Sequence, residues 1–183
     1  MSADNIQAPE SRTYVLGEIN EESANALIAF ILHVNEYDDL QEEKTNGYLR
    51  KPIRLIVNSS GGTNYDGMAI IGAIETSKTE VHSVGFGCVM SSALDVFVAC
   101  HHRSAHRMTT FMYHSLRSIS EGEVEKQVTD VNESLRIQSE GDKFLMSKTK
   151  LPKKRLDEIR KKKDDWYFTS QEALKYGVID EVL

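Results

Sequence analysis

The sequence predicts a single α/β domain, and three observations carry this prediction. Short β-branched runs alternate with segments of helical periodicity along the chain, which is the pattern of α/β proteins. A glycine-containing turn joins strand to helix in two places. The 183 residues, 40% of them hydrophobic, are enough for one sizeable core but not for two independent domains.

The N-terminal part begins with a polar tail and continues into a strand and a helix. Residues 1–12 are expected to be flexible, and residues 13–183 to form the single domain. "TYVLG" is typical of a short strand. Asn20 is placed to cap a helix over Glu21–Val34, since apolar residues recur there at helical spacing: Ala24, Leu27, Ile28, Ile31 and Leu32. The charged stretch Tyr37–Lys51 is interpreted as a surface loop.

Two strand, turn and helix units follow. Ile53–Val57 is a β-branched run followed by "NSSGG", and Tyr65–Thr76 then has a helical apolar pattern. The pattern returns at once: Val81–Phe86 is strand-like, Gly87 is expected to turn the chain, and Ser91–Ala99 is an apolar helix. The recurrence strengthens the α/β prediction.

The C-terminal part adds a strand over Met108–Tyr113 and three helices. Gly122–Lys148 is predicted to be one long helix, because apolar residues recur at spacings of four, three and four: Val124, Val128, Val131 and Leu135. Its length of roughly 40 Å exceeds what a small domain needs, so part of it is expected to project and meet another subunit. Residues 152–161 and a segment capped by Thr169 and Glu172 form shorter helices.

Composition excludes some classes of function. The net charge of −6 gives no basic field for nucleic acid or acidic membranes, so neither is expected as a partner. The two cysteines, Cys88 and Cys100, lie in apolar surroundings, which fits a reducing cytosol. The N-terminal residues resemble no targeting signal, and the least polar stretch, Val84–Cys100, falls short of the roughly 20 apolar residues of a membrane span. A cytoplasmic location is expected.

Candidate chemistry centres on a serine at a strand-to-helix junction. A serine nucleophile needs a base, an acid that orients the base, and N–H donors for the developing oxyanion. Ser91 lies at such a junction, and His114 ends a predicted strand. Taken alone, each candidate has an ordinary structural explanation. Ser91 is then a small residue that permits packing, and His114 is a structural histidine. Asp165 is then a solvated turn carboxylate, and "NSSGGT" is a plain glycine turn.

The order of these pieces resembles the proteolytic subunit of the Clp protease, ClpP, and its phage-encoded relatives. "LIVNSSGGTNYDGMAIIGAI", "GCVMSSALDVF", "MYHSL" and "DDWYFTSQEALKYGVIDEV" are similar to four blocks of that family in the family's order, from about Tyr14 to Leu183. The resemblance implies a ClpP/crotonase-like spiral of repeated β-β-α units. It also implies a projecting handle region over residues 115–148.

The same resemblance assigns roles to individual residues. It implies Ser91 as nucleophile, His114 as general base and Asp165 as the acid that orients it. The backbone N–H groups of Gly62 and Ser92 would form the oxyanion hole. Because the stretch before His114 is about two residues short, Ser92 is the second candidate for the nucleophile. Asp95 places a charge where the family tends to be apolar, either pairing across an interface or reaching water.

The implied function is serine endopeptidase activity on unfolded or delivered proteins and peptides. The family encloses its sites in a stacked-ring homo-oligomer, expected here to have heptameric rings, and an AAA+ ATPase unfoldase is the expected partner. No cofactor is expected. The rivals are a noncatalytic ClpP-like ring subunit and a crotonase-type acyl-CoA enzyme, which shares the fold but does not need the three side chains.

Two further sequence patterns indicate no additional function. His101, His102 and His106 are close in sequence, but a polar loop is the expected setting and no carboxylate or cysteine completes a zinc set, so no metal is expected. The basic stretch "LPKKRLDEIRKKK" is interpreted as an amphipathic helix with a solvated basic side.

Overall fold

A computed structural model describes residues 6–183, so the first five residues of the expected flexible tail lie outside it. The predicted α/β class is confirmed: within the described range, a seven-stranded sheet is joined by six helices. The strands are β1 (Thr13–Leu16), β2 (Ile53–Ser59), β3 (Val81–Met90), β4 (His102–Ala105), β5 (Thr110–His114), β6 (Asp165–Thr169) and β7 (Glu181–Val182). The helices are α1 (Glu21–Lys44), α2 (Asn64–Thr76), α3 (Ser92–Ala99), α4 (Val124–Lys148), α5 (Lys153–Lys162) and α6 (Ser170–Lys175).

The sheet divides at β3, and this division positions the site. Strands run in the order β1-β2-β3-β4-β7 with every neighbouring pair parallel. The first part of β3 pairs with β4, and its last residues, 88–90, pair with β5 in parallel. β6 then pairs antiparallel with β5. The residues just after β3 and at the end of β5 are therefore neighbours.

Gly87 does not end the strand, so that expectation is wrong. β3 continues to Met90, and Gly87 lies within it at φ 65°. Its positive φ favours glycine, and an added Cβ would also lie 2.5 Å from Oδ1 of Asn58, which would have to move. The irregularity falls between the part of β3 that pairs with β4 and the part that pairs with β5, as expected of a β-bulge.

The loop expected over Tyr37–Lys51 is also wrong in its first half, because α1 continues to Lys44. The buried face of the helix continues through Asp38, whose side chain is fully buried. Its carboxylate accepts hydrogen bonds from Arg12, from the hydroxyl of Tyr48 at 2.6 Å and from the hydroxyl of Thr79 at 2.7 Å. A buried carboxylate with three donors takes the place of an apolar residue in the helix pattern.

The histidine-containing loop expected before the strand over Met108–Tyr113 is partly a strand. His102 begins β4, which pairs in parallel with β3. The ring nitrogen Nδ1 of His101 accepts the Val81 N–H at 3.1 Å. Within residues 6–183, no three His, Cys, Asp or Glu side chains are grouped so that they could hold a metal ion.

Helix α4 is the predicted long helix, and it carries an exposed apolar stripe. Its 25 residues give a length of roughly 37 Å. The four apolar residues that predicted it are between 51% and 70% exposed: Val124, Val128, Val131 and Leu135. These four residues are called the α4 stripe below. In the described part of the chain, no helix combines the length and the apolar character needed to cross a bilayer.

Candidate active site

Ser91 occupies a strained turn between β3 and α3. Its backbone lies at φ 55° and ψ −133°, a combination that L-residues rarely adopt. Two hydrogen bonds hold the turn: the Ser91 N–H donates to the Met112 carbonyl at 3.0 Å, and the Ser91 carbonyl accepts the Leu94 N–H at 2.8 Å. Strain of this kind, about 1–3 kcal/mol, persists only where the surroundings fix it and is concentrated at functional sites.

The hydroxyl of Ser91 meets the imidazole of His114. Ser91 Oγ lies 2.7 Å from His114 Nε2, within hydrogen-bond distance. The strand pairing accounts for this contact, because Met90 is in register with Met112 and His114 ends the same strand. Ser92, the second candidate, makes a different contact: its Oγ donates to the Gly62 carbonyl at 3.2 Å.

The other ring nitrogen of His114 has no partner. Nδ1 is buried and meets no hydrogen-bonding atom among the described residues. Burial lowers the pKa of His114 below its usual 6.5, the positive charge of Arg117 lowers it further, and the charge of Asp165 opposes both. The imidazole is therefore held in its neutral form, which can accept a proton from a hydroxyl.

Asp165 lies next to His114 without binding it. The residue begins β6 and is the register partner of His114 in the antiparallel pair. Its carboxylate instead accepts a hydrogen bond from the guanidinium of Arg117. Ser91 and His114, two of the three side chains of the expected triad, are thus in contact. The third, Asp165, lies beside them with its carboxylate bound to Arg117.

The glycine turn after β2 lies against the serine. An added Cβ on Gly61 would lie 2.7 Å from Ser91 Cβ, and one on Gly62 would lie 1.9 Å from the Ile19 carbonyl oxygen. The turn is held by Thr63 N–H donating to the same Ile19 carbonyl at 3.0 Å. The N–H groups of Gly62 and Ser92 meet no acceptor within residues 6–183. Both residues line the same cavity as Ser91.

This cavity has a volume of about 500 Å³ and lies between α2, α3 and α4, with Ser91 and His114 in its wall. Asp95 also lines it, so its partly exposed side chain faces this cavity. Arg117 is the residue that sequence reasoning missed. Nothing in its sequence context marks an exposed arginine as a partner of Asp165.

The parallel sheet, the strained serine at a strand-to-helix junction and the adjacent imidazole define an α/β protein with the side-chain pair of a serine hydrolase. The family model for the Clp protease matches residues 7–183. The chain belongs to the Clp protease family, a family of peptidases.

Three relatives illustrate the similarity. The chain is 30% identical over 177 residues to the ATP-dependent Clp protease proteolytic subunit 1 of Prochlorococcus marinus (strain NATL2A). This alignment covers 93% of this chain and 83% of that protein. The chain is 30% identical over 183 residues to proteolytic subunit 2 of Synechococcus sp. (strain CC9605), covering 94% and 83%. It is 28% identical over 178 residues to proteolytic subunit 2 of Parasynechococcus marenigrum (strain WH8102), again covering 94% and 83%.

Proposed function

We propose that this chain is a serine endopeptidase subunit in which Ser91, His114 and Asp165 act as a triad. The observation that carries the proposal is the 2.7 Å contact between Ser91 Oγ and His114 Nε2 at a strained strand-to-helix turn. Residues 13–183 serve as one protease domain in this proposal, with the region 115–148 as its handle. The substrates are unfolded or delivered proteins and peptides.

The proposed reaction is acylation followed by deacylation. Ser91 Oγ attacks the scissile carbonyl carbon while His114 Nε2 takes the hydroxyl proton. His114 then gives that proton to the leaving amine as the C–N bond breaks, which leaves an acyl ester on Ser91. A water molecule attacks the ester with His114 again as base, and the proton returns to Ser91 as the acid product leaves.

The N–H groups of Gly62 and Ser92 stabilise the oxyanion in both steps. Both residues line the cavity beside Ser91, and neither N–H has an acceptor in the described range. Donors that are already in place need no reorganisation when charge develops on the carbonyl oxygen. Each such donor contributes on the order of 10²–10³ in turnover.

Asp165 completes the triad in this proposal by turning from Arg117 to His114. The Arg117 side chain is 67% exposed, and ion pairs at such sites contribute only about 0–1 kcal/mol. Leaving His114 Nδ1 buried without a partner costs about 1–3 kcal/mol. The difference in free energy therefore favours a carboxylate that accepts the Nδ1–H of His114. Asp165 is close enough to do so because the two residues are register partners.

The proposal includes assembly into a stacked-ring homo-oligomer with heptameric rings, working in the cytoplasm with an AAA+ ATPase unfoldase. Two observations support it. The α4 stripe leaves four apolar side chains exposed along one face of the projecting helix. The relatives are named as proteolytic subunits of an ATP-dependent protease.

A noncatalytic ring subunit is the second candidate, and one observation favours it: the carboxylate of Asp165 is bound to Arg117 instead of His114. A crotonase-type enzyme has no such supporting observation. Treatment with a fluorophosphonate, followed by peptide mass spectrometry, separates the two candidates. Labelling at Ser91 that disappears in His114→Ala is expected for the protease. Folded, assembled protein that is labelled at no serine would contradict the protease proposal and support the noncatalytic subunit.

A further inference from the structure

Asp95 is a carboxylate without a partner in the wall of the cavity. Its Oδ1 is buried and meets no donor in residues 6–183, and no cation of that range pairs with the group. The other carboxylates that line the cavity are all paired: Asp142 with Arg160, Glu140 with Lys143 and Glu75 with Lys148. The Asp95 side chain is partly exposed to the cavity, but a carboxylate oxygen that is buried without a donor normally has a partner, so Asp95 lacks something that a ligand could supply.

The position of Asp95 relates it to the nucleophile. Asp95 is four residues after Ser91, in the first turn of α3, and both residues line the same cavity. Four residues of helix rise about 6 Å. That rise is comparable to the reach of an extended lysine side chain from its Cα, which spans about five bonds. A side chain entering the cavity from a carbonyl held at Ser91 would therefore bring its end group to Asp95.

The rest of the cavity wall suits the stem of a long side chain. Met68, Ile71, Phe144 and Leu145 line it from α2 and α4. Lysine and arginine pack their methylene groups on such apolar surface while the charged end seeks a polar partner. Apolar walls with one unpaired carboxylate among them thus match a long cationic side chain better than an apolar or an acidic one.

Resting on the proposed endopeptidase function, we propose that this cavity receives the substrate side chain on the N-terminal side of the scissile bond and that Asp95 selects lysine or arginine there. The cation would form a charge-assisted hydrogen bond with a carboxylate that has no other donor. A substrate with a neutral side chain of the same length leaves that carboxylate without a donor, as it is in the free subunit.

Charged groups around Asp95 set the conditions of the test. Burial, and then the negative charge of Asp142, raise the pKa of Asp95 to about 8. The titratable and charged groups that face it from the surrounding elements are Glu75 on α2, Tyr113 and His114 on β5, Arg117 after β5, Glu140 and Asp142 on α4, and Arg160 on α5. The test is therefore made at about pH 8.5, where a carboxyl of this kind is mostly ionised and lysine remains charged.

The test compares two diphenyl phosphonate probes that differ only in lysine or norleucine at the residue next to phosphorus. The lysine probe is expected to label Ser91 at least roughly tenfold faster, and the preference is expected to fall to about one in Asp95→Asn, as is usual when one partner of a desolvated charge pair is removed. Asp157→Asn, which removes an equal charge from an exposed, paired site on α5, is expected to keep the preference.

The outcomes separate this inference from the function on which it rests. If Ser91 reacts with a fluorophosphonate but prefers norleucine, or shows no preference, the selection by Asp95 is wrong and the protease proposal stands. If no probe labels Ser91, the proposed function falls and the inference with it. The preference of the wild-type protein for the lysine probe is itself a test of the inference. The inference can therefore be contradicted even if Asp95→Asn does not fold.

Discussion

Asp165 lies opposite His114 across the β5–β6 pair, yet its carboxylate binds the guanidinium of Arg117. Arg117 follows β5 by three residues and is mostly exposed, so the pair is formed at the edge of the site. The proposed third member of the triad is thus engaged by a weak competitor. In the proposed triad, this exposed arginine competes with the imidazole for the Asp165 carboxylate.

Arg117→Ala is expected to increase the rate of fluorophosphonate labelling at Ser91. Removal of the guanidinium frees the Asp165 carboxylate for His114 Nδ1, and an exposed ion pair of up to 1 kcal/mol corresponds to an increase of about two- to fivefold. Labelling rates are compared on the high-pH plateau of each protein, where the rate no longer changes with pH. Arg107→Ala, at another exposed arginine, serves as control. A lower rate in Arg117→Ala alone would show that Arg117 supports the site.

The pH dependence of labelling follows from the lowered pKa of His114. Burial first, and the charge of Arg117 second, lower this pKa below 6.5. The neutral base therefore persists at lower pH than for an ordinary histidine, and the rate is expected to fall with a midpoint below pH 6.5. Arg117→Ala is expected to move the midpoint upward, because it removes a charge that disfavours the imidazolium. A wild-type midpoint above 6.5 would contradict the neutral, buried base.

Gly62→Ala is expected to reduce the labelling rate by about 10² or more and to lower the melting temperature. The new Cβ would lie 1.9 Å from the Ile19 carbonyl oxygen, so the turn must move and its N–H with it. Labelling kinetics and thermal unfolding measure the two effects. Gly17→Ala is the matched control, because its Cβ meets nothing within 4 Å. Equal rates in the two variants would remove Gly62 from the oxyanion hole.

Val128→Asp is expected to weaken assembly of the subunits. The residue lies in the middle of the α4 stripe, and a carboxylate in an apolar contact loses its hydration without a partner. Light scattering after size-exclusion chromatography should show smaller particles at equal concentration. Thr129→Asp adds the same charge about a quarter turn away, outside the α4 stripe, and is expected to assemble normally. Unchanged particles in Val128→Asp would mean that the stripe is not a subunit contact.

Sequence patterns predicted the six helices and the strands β1, β2, β3 and β5, whereas β4, β6 and β7 were not predicted. They ended α1 too early because the next buried position is Asp38, whose donors Arg12, Tyr48 and Thr79 lie far away in sequence. They also placed a turn at Gly87, since a glycine in a bulge and a glycine in a turn have the same local signature. Long-range contacts decide both cases, and a local pattern does not contain them.

The candidate site, too, was predicted only in part. The order of the sequence blocks indicated Ser91 and His114, and strand pairing explains why they meet. The orientation of Asp165 was beyond sequence reasoning, because it depends on where an exposed arginine side chain rests. The cavity setting of Asp95 required the placement of α2 and α4 around α3.

The backbone of Ser91 has a consequence for selection on this chain. At φ 55° and ψ −133°, glycine would be far less strained than serine, so Ser91→Gly removes strain that the folded state now carries. A chain selected for heat resistance alone would have glycine there. If Ser91 is the proposed nucleophile, the chain gives up part of its thermal stability for a hydroxyl in reach of an imidazole, and Ser91→Gly is expected to give a more stable but inactive protein.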